Sequence, residues 1–330
     1  MMITARALSR TFRPARSEEV EAVRGIDLDV DDGELVAVLG PNGAGKTTLI
    51  RMLTTLLRPS GGTATVVGQD VRTEPAAVRR RIGYVGQGNA AGLYQRVDDE
   101  LMSQCRAYGL RGSDGRRRVA ELADAFSLGA LLTRKGQTLS GGQRRRVDVA
   151  MGLVHHPSLL FLDEPSTGLD PQSRANLWGH IAEVRRASGM TILLTTHYLE
   201  EADLMAERVV VVDDGQVIAD DAPARLKADL AGDRITVGLS SPDDVDAAAT
   251  LGRELAGDGT CAVDGTELSL RATAGDEVLA GFLQHLARRG IEVARAVVER
   301  PTLDDVFLSL SGRSLREETI GTAEVEEVAA

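Results

Sequence analysis

The chain has 330 residues and a formal net charge of -11, with 43% hydrophobic and 26% charged residues, which is ordinary for a globular protein. Its length allows one large core and a smaller second domain, whereas its acidic balance disfavours nucleic-acid binding, which needs a basic surface. We expect neither a secretory signal nor a membrane span, because no run approaches the roughly 18 apolar residues that a spanning helix needs. Cys105 and Cys261 are isolated, which suits a reducing compartment rather than a metal site or a disulfide.

Apolar runs and alternating runs predict the β-strands of an α/β fold. Two short alternating pieces, Ile26–Val30 and Thr63–Val67, predict an antiparallel layer. The segment Leu101–Leu132 is rich in Ala, Arg and Leu and predicts helices. Continuous apolar runs, separated in several places by helical stretches, predict a buried parallel sheet with helices on both faces. These runs are Leu35–Leu39, Leu159–Leu162, Ile192–Leu194 and Val209–Val212.

A glycine-rich loop follows the strand Leu35–Leu39 and precedes a helix, and it matches the pattern G-x-x-x-x-G-K-[ST]. Glycines let backbone N–H groups converge on phosphate oxygens, and the helix N-terminus adds positive potential. Lys46, one of only three lysines in an arginine-rich chain, would bring a compact charge to the β- and γ-phosphates, and Thr47 would ligate Mg²⁺. The predicted phosphate-binding residues are Gly40, Pro41, Asn42, Gly43, Ala44, Gly45, Lys46, Thr47 and Thr48.

Two other segments carry residues suited to phosphate chemistry. The strand Leu159–Leu162 ends in Asp163 and Glu164, where Asp163 would help to coordinate Mg²⁺ and Glu164 would polarise an attacking water as general base. Before the predicted helix Arg144–Leu153, Ser140 is a natural cap, and two glycines leave the helix N-terminus open to an anion. Taken alone, the first segment could be a solvated strand end and the second only a capped helix.

Three consecutive arginines, Arg144, Arg145 and Arg146, allow two interpretations. They could form a nucleic-acid patch, or they could occupy one turn of a helix with their charges facing solvent or nucleotide. We favour the second interpretation because the chain as a whole is acidic.

A second domain is predicted after residue 230. The strand pattern Ile235, Val237, Leu239 is followed by a helix start at Ser241-Pro242, a hairpin around Asp264-Gly265, a second helix and a last strand, Ile291–Val298. The order β-α-β-β-α-β predicts a small ferredoxin-like α+β domain. We therefore divide the chain into residues 1–230, 231–312 with a short final helix capped by Thr302, and an acidic, mobile tail at 313–330.

The phosphate loop, the segment Leu139–Gln143 and the Asp163-Glu164 pair together resemble the ATP-binding cassette (ABC) family, over roughly Ala5–Ala228. The resemblance implies a P-loop NTPase fold of the ABC ATPase type, with antiparallel and helical subdomains, that binds ATP and Mg²⁺. It also implies two head-to-tail subunits, in which the Leu139–Gln143 segment of one closes over ATP held by the phosphate loop of the other. The residues of this segment that would contact nucleotide are Ser140, Gly141, Gly142 and Gln143.

Further positions acquire roles from the same resemblance. Phe12 resembles the aromatic that stacks on adenine, although it could instead be an aromatic that packs a strand. Gln87 resembles the glutamine that touches Mg²⁺ and the water, and His197 resembles the histidine that senses the γ-phosphate. Asp170 ends the loop Ser166–Asp170, which resembles the loop that links the two active sites.

The segment Arg300–Leu308 resembles the ending of daunorubicin/doxorubicin-resistance-type ATP-binding subunits. This implies a homodimer at the cytoplasmic face of the cell membrane that powers export of a hydrophobic, drug-like molecule through a separate permease. The second domain could serve only to extend the dimer interface. Two places depart from the usual family pattern where the permease would dock. Gly86 stands where proline is common, and Gln95–Leu101 only loosely resembles the usual segment. These residues therefore do not identify the permease.

Two other functions fit the sequence less well than transport does. A soluble ABC ATPase with a switch role on ribosomes or DNA would typically carry two cassettes or a long coiled-coil insertion, and the chain shows neither. A regulatory protein with inactive ATPase sites would lack some of the expected functional residues, and here all of them are present.

Overall fold

The strands of the first part of the chain form two sheets. In chain order they are β1 (Ile3–Phe12), β2 (Val20–Val30), β3 (Leu35–Leu39), β4 (Gly61–Val66), β5 (Gln69–Asp70), β6 (Ile82–Val85), β7 (Leu159–Asp163), β8 (Thr191–Thr196), β9 (Arg208–Asp213) and β10 (Gln216–Asp221). The computed structural model describes residues 1–13, 19–88, 90–228, 232–256 and 261–312. The predicted acidic tail at 313–330 lies outside the described residues.

The larger sheet has the order β10-β9-β3-β8-β7-β6. Its pairings from β6 through β7, β8 and β3 to β9 are all parallel, and every residue of β3, β7 and β8 is buried. The predicted buried parallel sheet is therefore confirmed. The short strands β6 and β10 were not predicted, because the first contains a glycine and half of the residues of the second are polar.

The smaller sheet has the order β2-β1-β4-β5 and is antiparallel, as predicted. Its central strand β1 pairs Ile3 with Val30 on one side and with Val66 on the other. This sheet carries Phe12 at the end of β1 and brings the β2 backbone beside the glycine-rich loop.

Helices and short turns connect the strands of the first unit. The helices are α1 (Lys46–Leu53), α2 (Pro75–Arg81), α3 (Val97–Ala107), α4 (Gly112–Ala125), α5 (Gly141–Gly152), α6 (Pro171–Ser188) and α7 (Leu199–Met205). The helical prediction for Leu101–Leu132 is borne out by α3, α4 and a 3₁₀ turn at Gly129–Leu131. In α3, Val97, Leu101 and Cys105 are buried at the spacing of one helical face.

A second unit begins at Asp221, earlier than the predicted boundary, and its first helix, α8 (Pro223–Leu226), contacts the last helix of the chain. Its remaining elements are β11 (Asp233–Leu239), α9 (Val245–Leu255), β12 (Cys261–Asp264), β13 (Glu267–Ala272), α10 (Gly275–Arg288), β14 (Val293–Glu299) and α11 (Leu303–Ser311). The element order through β14 is β-α-β-β-α-β, and the antiparallel sheet has the order β12-β13-β11-β14.

Local sequence signals of the second unit place its turns. Ser241 and Pro242 start a 3₁₀ turn at Pro242–Asp244, so α9 itself begins three residues later than the proline suggested. Gly265 has φ +58° in the β12–β13 hairpin, a value that glycine adopts without strain. Thr302 caps α11 by accepting a hydrogen bond from the Asp305 N–H, as predicted. Within the described residues, no helix of either unit is long and apolar enough to cross a bilayer.

Candidate nucleotide site

The loop between β3 and α1 has a backbone that requires glycine. Gly45 has φ +100°, and an added Cβ would collide with the backbone oxygen of Ala22. At Gly40 an added Cβ would collide with the backbone oxygen of Val212. The loop therefore packs closely against the backbones of β2 and β9. It ends at the N-terminus of α1, where free N–H groups favour an anion.

Lys46 lies at the mouth of this loop with only 4% of its surface exposed. Its Nζ donates hydrogen bonds to the backbone oxygens of Gly40 (2.6 Å) and Pro41 (2.9 Å) and lies 3.7 Å from Oε1 of Glu164. A cleft of about 150 Å³ opens here. Its lining residues are Asn42, Gly43, Gly45, Lys46, Thr47, Thr48, Gln87 and Glu164. Of the predicted loop residues, Gly40, Pro41 and Ala44 shape the loop without lining this cleft.

The three predicted metal ligands lie together beside the cleft. Thr47 Oγ1 donates to Asp163 Oδ1 (2.9 Å) and accepts a hydrogen bond from Nε2 of Gln87 (3.1 Å). Thr195, which sequence reasoning missed, also donates to Asp163 Oδ1 (2.8 Å). Burial raises the pKa of Asp163, and the hydrogen bonds from Thr195 and Thr47 offset this only in part.

The same carboxylate has an oxygen that the protein leaves unused. Asp163 Oδ2 is buried and has no hydrogen-bond donor among the described residues. A buried carboxylate oxygen, a threonine hydroxyl and a glutamine amide form an oxygen-rich set of the kind that Mg²⁺ prefers. The residues present therefore fit a magnesium ion.

Glu164 directly follows β7 and has a strained backbone conformation. Its φ is +47°, which is uncommon for a residue other than glycine, and its N–H donates to the backbone oxygen and to Oγ1 of Thr195, both at 3.1 Å. Its Oε2 lies 3.2 Å from His197 Nδ1 and accepts a hydrogen bond from Thr167 (3.2 Å). Glu164 is therefore fixed on both its backbone and its carboxylate.

The electrostatic surroundings of Glu164 keep its carboxylate ionised. Burial raises its pKa, but the contact with His197, the charge of Lys46 and the hydrogen bond from Thr167 outweigh burial, so the net pKa lies below the ordinary value. Asp163, one residue earlier, has a raised pKa because burial dominates there. Adjacent carboxylates thus have pKa values shifted in opposite directions, which is typical of a catalytic site.

The segment Ser140–Gln143 forms a separate group at the start of α5. Ser140 Oγ accepts from the Gln143 N–H (3.3 Å) and Gln143 Oε1 accepts from the Ser140 N–H (3.1 Å), so the predicted cap is confirmed as a reciprocal capping box. A Cβ at Gly142 would lie 2.5 Å from Oγ of Ser173, whose N–H donates to Asp170 Oδ1 (2.9 Å). Gly141 begins α5. Among the described contacts, none joins this group to the phosphate loop.

Phe12 lies at the end of β1, paired with Val20 in the neighbouring strand. The guanidinium of Arg10 lies 4.8 Å from the centre of its ring, a cation–π arrangement. Phe12 does not line the cleft at the phosphate loop. Its two interpretations, adenine stacking and strand packing, therefore both stand.

The interpretation of the three arginines is wrong for Arg145. This residue is only 7% exposed, and its guanidinium donates to the backbone oxygens of Pro165 (2.6 Å) and Gly86 (2.8 Å). Arg144 and Arg146 also donate to backbone oxygens, those of Gly136 (2.9 Å) and Phe126 (2.7 Å). The signal that could have revealed Arg145 is its spacing of four from the buried Val149, which places it on the inner face of α5.

A strand, a glycine-rich loop, a helix and a carboxylate at the end of a nearby parallel strand define a P-loop nucleotide-binding protein. A family model described as "ABC transporter" matches residues 23–167. The "Daunorubicin resistance ATP-binding protein DrrA3" of Streptomyces coeruleorubidus is 45% identical over 303 residues, which is 91% of this chain and 94% of the relative. The "Linearmycin resistance ATP-binding protein LnrL" of Bacillus subtilis is 33% identical over 297 residues, or 89% and 95% of the two chains.

A solved structure agrees with these relatives. The structure of cbiO1 from Clostridium perfringens, described as part of the ABC transporter complex cbiONQ, is similar with a TM-score of 0.63 and 28% identity, over 69% of this chain and 91% of that chain. The chain belongs to the ATP-binding subunits of the ABC transporter family.

Proposed function

We propose that this chain is the ATP-hydrolysing motor of an ABC exporter and that it acts as a homodimer on a separate membrane permease, at the cytoplasmic face of the membrane. The observation that carries the proposal is a cluster beside a glycine-rich loop in which buried Lys46 and Asp163 contact half-buried Glu164 and Thr47. Burying charges in this way is costly, and the arrangement is what transfer of a terminal phosphoryl group to water requires.

Each residue of the cluster has a distinct role in the proposed hydrolysis. Lys46 neutralises charge on the β- and γ-phosphates, which the backbone N–H groups of the loop hold in place. Glu164 is ionised at neutral pH and takes a proton from the attacking water, and His197, 3.2 Å from its carboxylate, keeps that group oriented. Thr47, Gln87 and Asp163 would hold Mg²⁺, which supplies further positive charge beside the phosphates.

The proposed homodimer completes each nucleotide site with a second copy of the chain. Ser140, Gly141, Gly142 and Gln143 expose the start of α5, which suits an anion, yet the described contacts connect them to Ser173 and Asp170 rather than to the phosphate loop. A second copy placed head to tail would bring this group over the nucleotide. Phe12, at the strand end, would then stack on the adenine.

The drug-like nature of the transported molecule rests on the names of the relatives, which report resistance to daunorubicin and linearmycin. The substrate contacts the permease rather than this chain. Identifying the membrane protein that co-purifies with the chain, and measuring whether it stimulates ATP hydrolysis, tests the transport role directly. Equal hydrolysis with and without permease-containing membranes would favour a switch role outside transport.

Glu164→Gln tests the hydrolytic role. This change keeps the shape of the side chain but removes the basic carboxylate, so we expect ATP hydrolysis to fall by roughly 10²- to 10⁴-fold while ATP binding persists. ATP should also trap the variant as a dimer, which size-exclusion chromatography would detect. The matched control is Glu200→Gln, an exposed glutamate on α7, which should hydrolyse ATP normally. A normal rate for Glu164→Gln would overturn the general-base role.

A further inference from the structure

Helix α5 buries two opposite charges on one face, three residues apart. Arg145 is 7% exposed and Asp148 is 1% exposed. The Arg145 guanidinium donates to the backbone oxygens of Gly86 and Pro165, and it also reaches those of Asp163 and Glu164, each at 3.4 Å. One side chain thus contacts both the residue that precedes Gln87 and the backbone of the general base.

Asp148 binds the backbone that follows Gln87. Its Oδ1 accepts hydrogen bonds from the N–H groups of Ala90 (3.0 Å) and Ala91 (2.8 Å). Arg145 and Asp148 therefore bind the backbone on both sides of Gln87. Arg145 binds the carbonyl oxygen of Gly86 before it, and Asp148 binds the N–H groups of Ala90 and Ala91 after it. These backbone groups belong to irregular chain, where buried polar groups need partners that strand pairing does not supply.

The energetic cost of this arrangement indicates that it does more than fill space. Burying a charged side chain costs free energy, so each of these two charges lowers stability unless hydrogen bonds compensate for the lost water. What the pair supplies instead is directional hydrogen bonding to two segments that carry reactive groups. Gln87 lies 3.1 Å from Thr47, and Glu164 lies 3.7 Å from Lys46, at the ends of these two segments.

We propose that Arg145 and Asp148 are positioning residues for ATP hydrolysis, and we call them the α5 clasp. The clasp positions Gln87 and Glu164 beside the phosphate loop, because its hydrogen bonds fix the backbone next to each of these residues. Neither member of the clasp contacts nucleotide or metal in this proposal. This proposal rests on the proposed roles of Gln87 and Glu164. It predicts that a loosened clasp lowers the rate of the chemical step much more than the affinity for ATP, because Lys46 and the glycine loop stay in place.

The first test is Arg145→Gln in the full chain. A displacement of about 1 Å at a reacting group can lower a rate by about 10²-fold, so we expect kcat to fall by roughly 10- to 100-fold, with the Kd for ATP within about threefold of the parent. Arg145→Lys retains a positive charge but fewer directed donors, so its kcat should lie between those of the parent and Arg145→Gln.

A matched control is Arg118→Gln. Arg118 also donates to two backbone oxygens next to α5, those of Leu153 (2.6 Å) and Val154 (3.1 Å), but at the end of the helix remote from Gln87 and Glu164. Arg118 belongs to α4, and this variant removes guanidinium hydrogen bonds to backbone oxygens at the far end of α5, so its kcat per folded molecule should match that of the parent. Thermal unfolding of every variant gives the folded fraction used to correct kcat.

Asp148 offers a second, independent comparison. Asp148→Asn keeps an oxygen that can accept from the Ala90 and Ala91 N–H groups, whereas Asp148→Leu removes the acceptor. We expect a larger fall in kcat for the leucine variant than for the asparagine variant, again with little change in the Kd for ATP. If Asp148→Leu does not fold, Arg145→Gln alone is decisive, and if Arg145→Gln does not fold, Arg145→Lys takes its place.

Two results would overturn the α5 clasp. One is a kcat within twofold of the parent in folded Arg145→Gln or, failing that, in folded Arg145→Lys. The other is a joint loss of kcat and ATP binding that follows only the folded fraction, which would make the pair purely structural. If Glu164→Gln is inactive while the clasp variants hydrolyse normally, only this inference fails. If Glu164→Gln is itself active, the proposed function fails first.

Discussion

The two units of the chain differ in what they bury. Among the described residues, every buried charged or hydroxyl side chain lies in the first unit, including Lys46, Arg145, Asp148 and Asp163. The buried side chains of the second unit are all apolar, with Phe282, Leu286 and the inward residues of β11 at the centre. Buried charge costs stability, so its concentration in the first unit indicates that this unit carries the chemistry, whereas the core of the second unit is purely apolar.

Among the tests of this contrast between the two units, Asp163→Asn has the largest expected effect. The change removes the buried charge next to Thr47 and the unpaired oxygen that fits Mg²⁺, so we expect ATP hydrolysis to fall by about 10²-fold and to need a higher Mg²⁺ concentration. Titrating hydrolysis against Mg²⁺ at saturating ATP measures both. An unchanged rate and an unchanged Mg²⁺ requirement would show that the buried carboxylate has no part in metal binding.

An intermediate effect is expected from Phe282→Ala in the second unit. Phe282 is fully buried in the apolar core, so the cavity should lower the free energy of unfolding of this unit by about 3–5 kcal/mol, seen in denaturant titration. ATP affinity should not change under conditions where the chain stays folded. Val263→Ala is the control, because Val263 is 45% exposed and should cost little. Weaker ATP binding by folded Phe282→Ala would refute the separation of roles.

The smallest expected effect is on the stability of Asp163→Asn. The folded pKa of Asp163 is raised, so the folded state binds its proton more tightly than the unfolded state, and ionisation at neutral pH disfavours folding. Removing this charge should leave Tm at pH 7 equal to or above that of the parent. The difference should shrink as pH falls toward about 4, where the parent's carboxyl becomes protonated in both states. A lower Tm at pH 7 would contradict the assigned cost of burying Asp163.

The sequence predicted most of the framework because its signals are local. Uninterrupted apolar runs identified four strands of the parallel sheet, and the glycine pattern identified the loop between β3 and α1. The short strands β6 and β10 were not predicted, because a glycine in the first and polar residues in the second interrupt the apolar pattern of a strand. The boundary at Asp221 could not be predicted from composition, since it is defined by contacts between residues far apart in the sequence, such as those of α8 with α11.

The site was predictable to the extent that each residue belongs to a motif. Lys46, Thr47, Gln87, Asp163, Glu164 and His197 were all named from sequence, and the structure brings them together. Thr195 and Asp148 were not named, and Arg145 was named only as one of three arginines facing solvent or nucleotide, because the importance of all three residues comes from partners far away in the sequence. The spacing of four from Val149 indicates that Arg145 lies on the inner face of α5, but no local pattern identifies Gly86 and Pro165 as its partners.

The central claim is that a buried ammonium group and the glycine loop hold the terminal phosphates of ATP. Calorimetric titration of ATP with Mg²⁺ into the purified chain and into Lys46→Ala tests it most directly. We predict clear binding by the parent and a loss of affinity of about 10²-fold or more in the variant, because a charge-assisted contact to phosphate is lost. No binding by the parent, or equal binding by Lys46→Ala, would contradict the account.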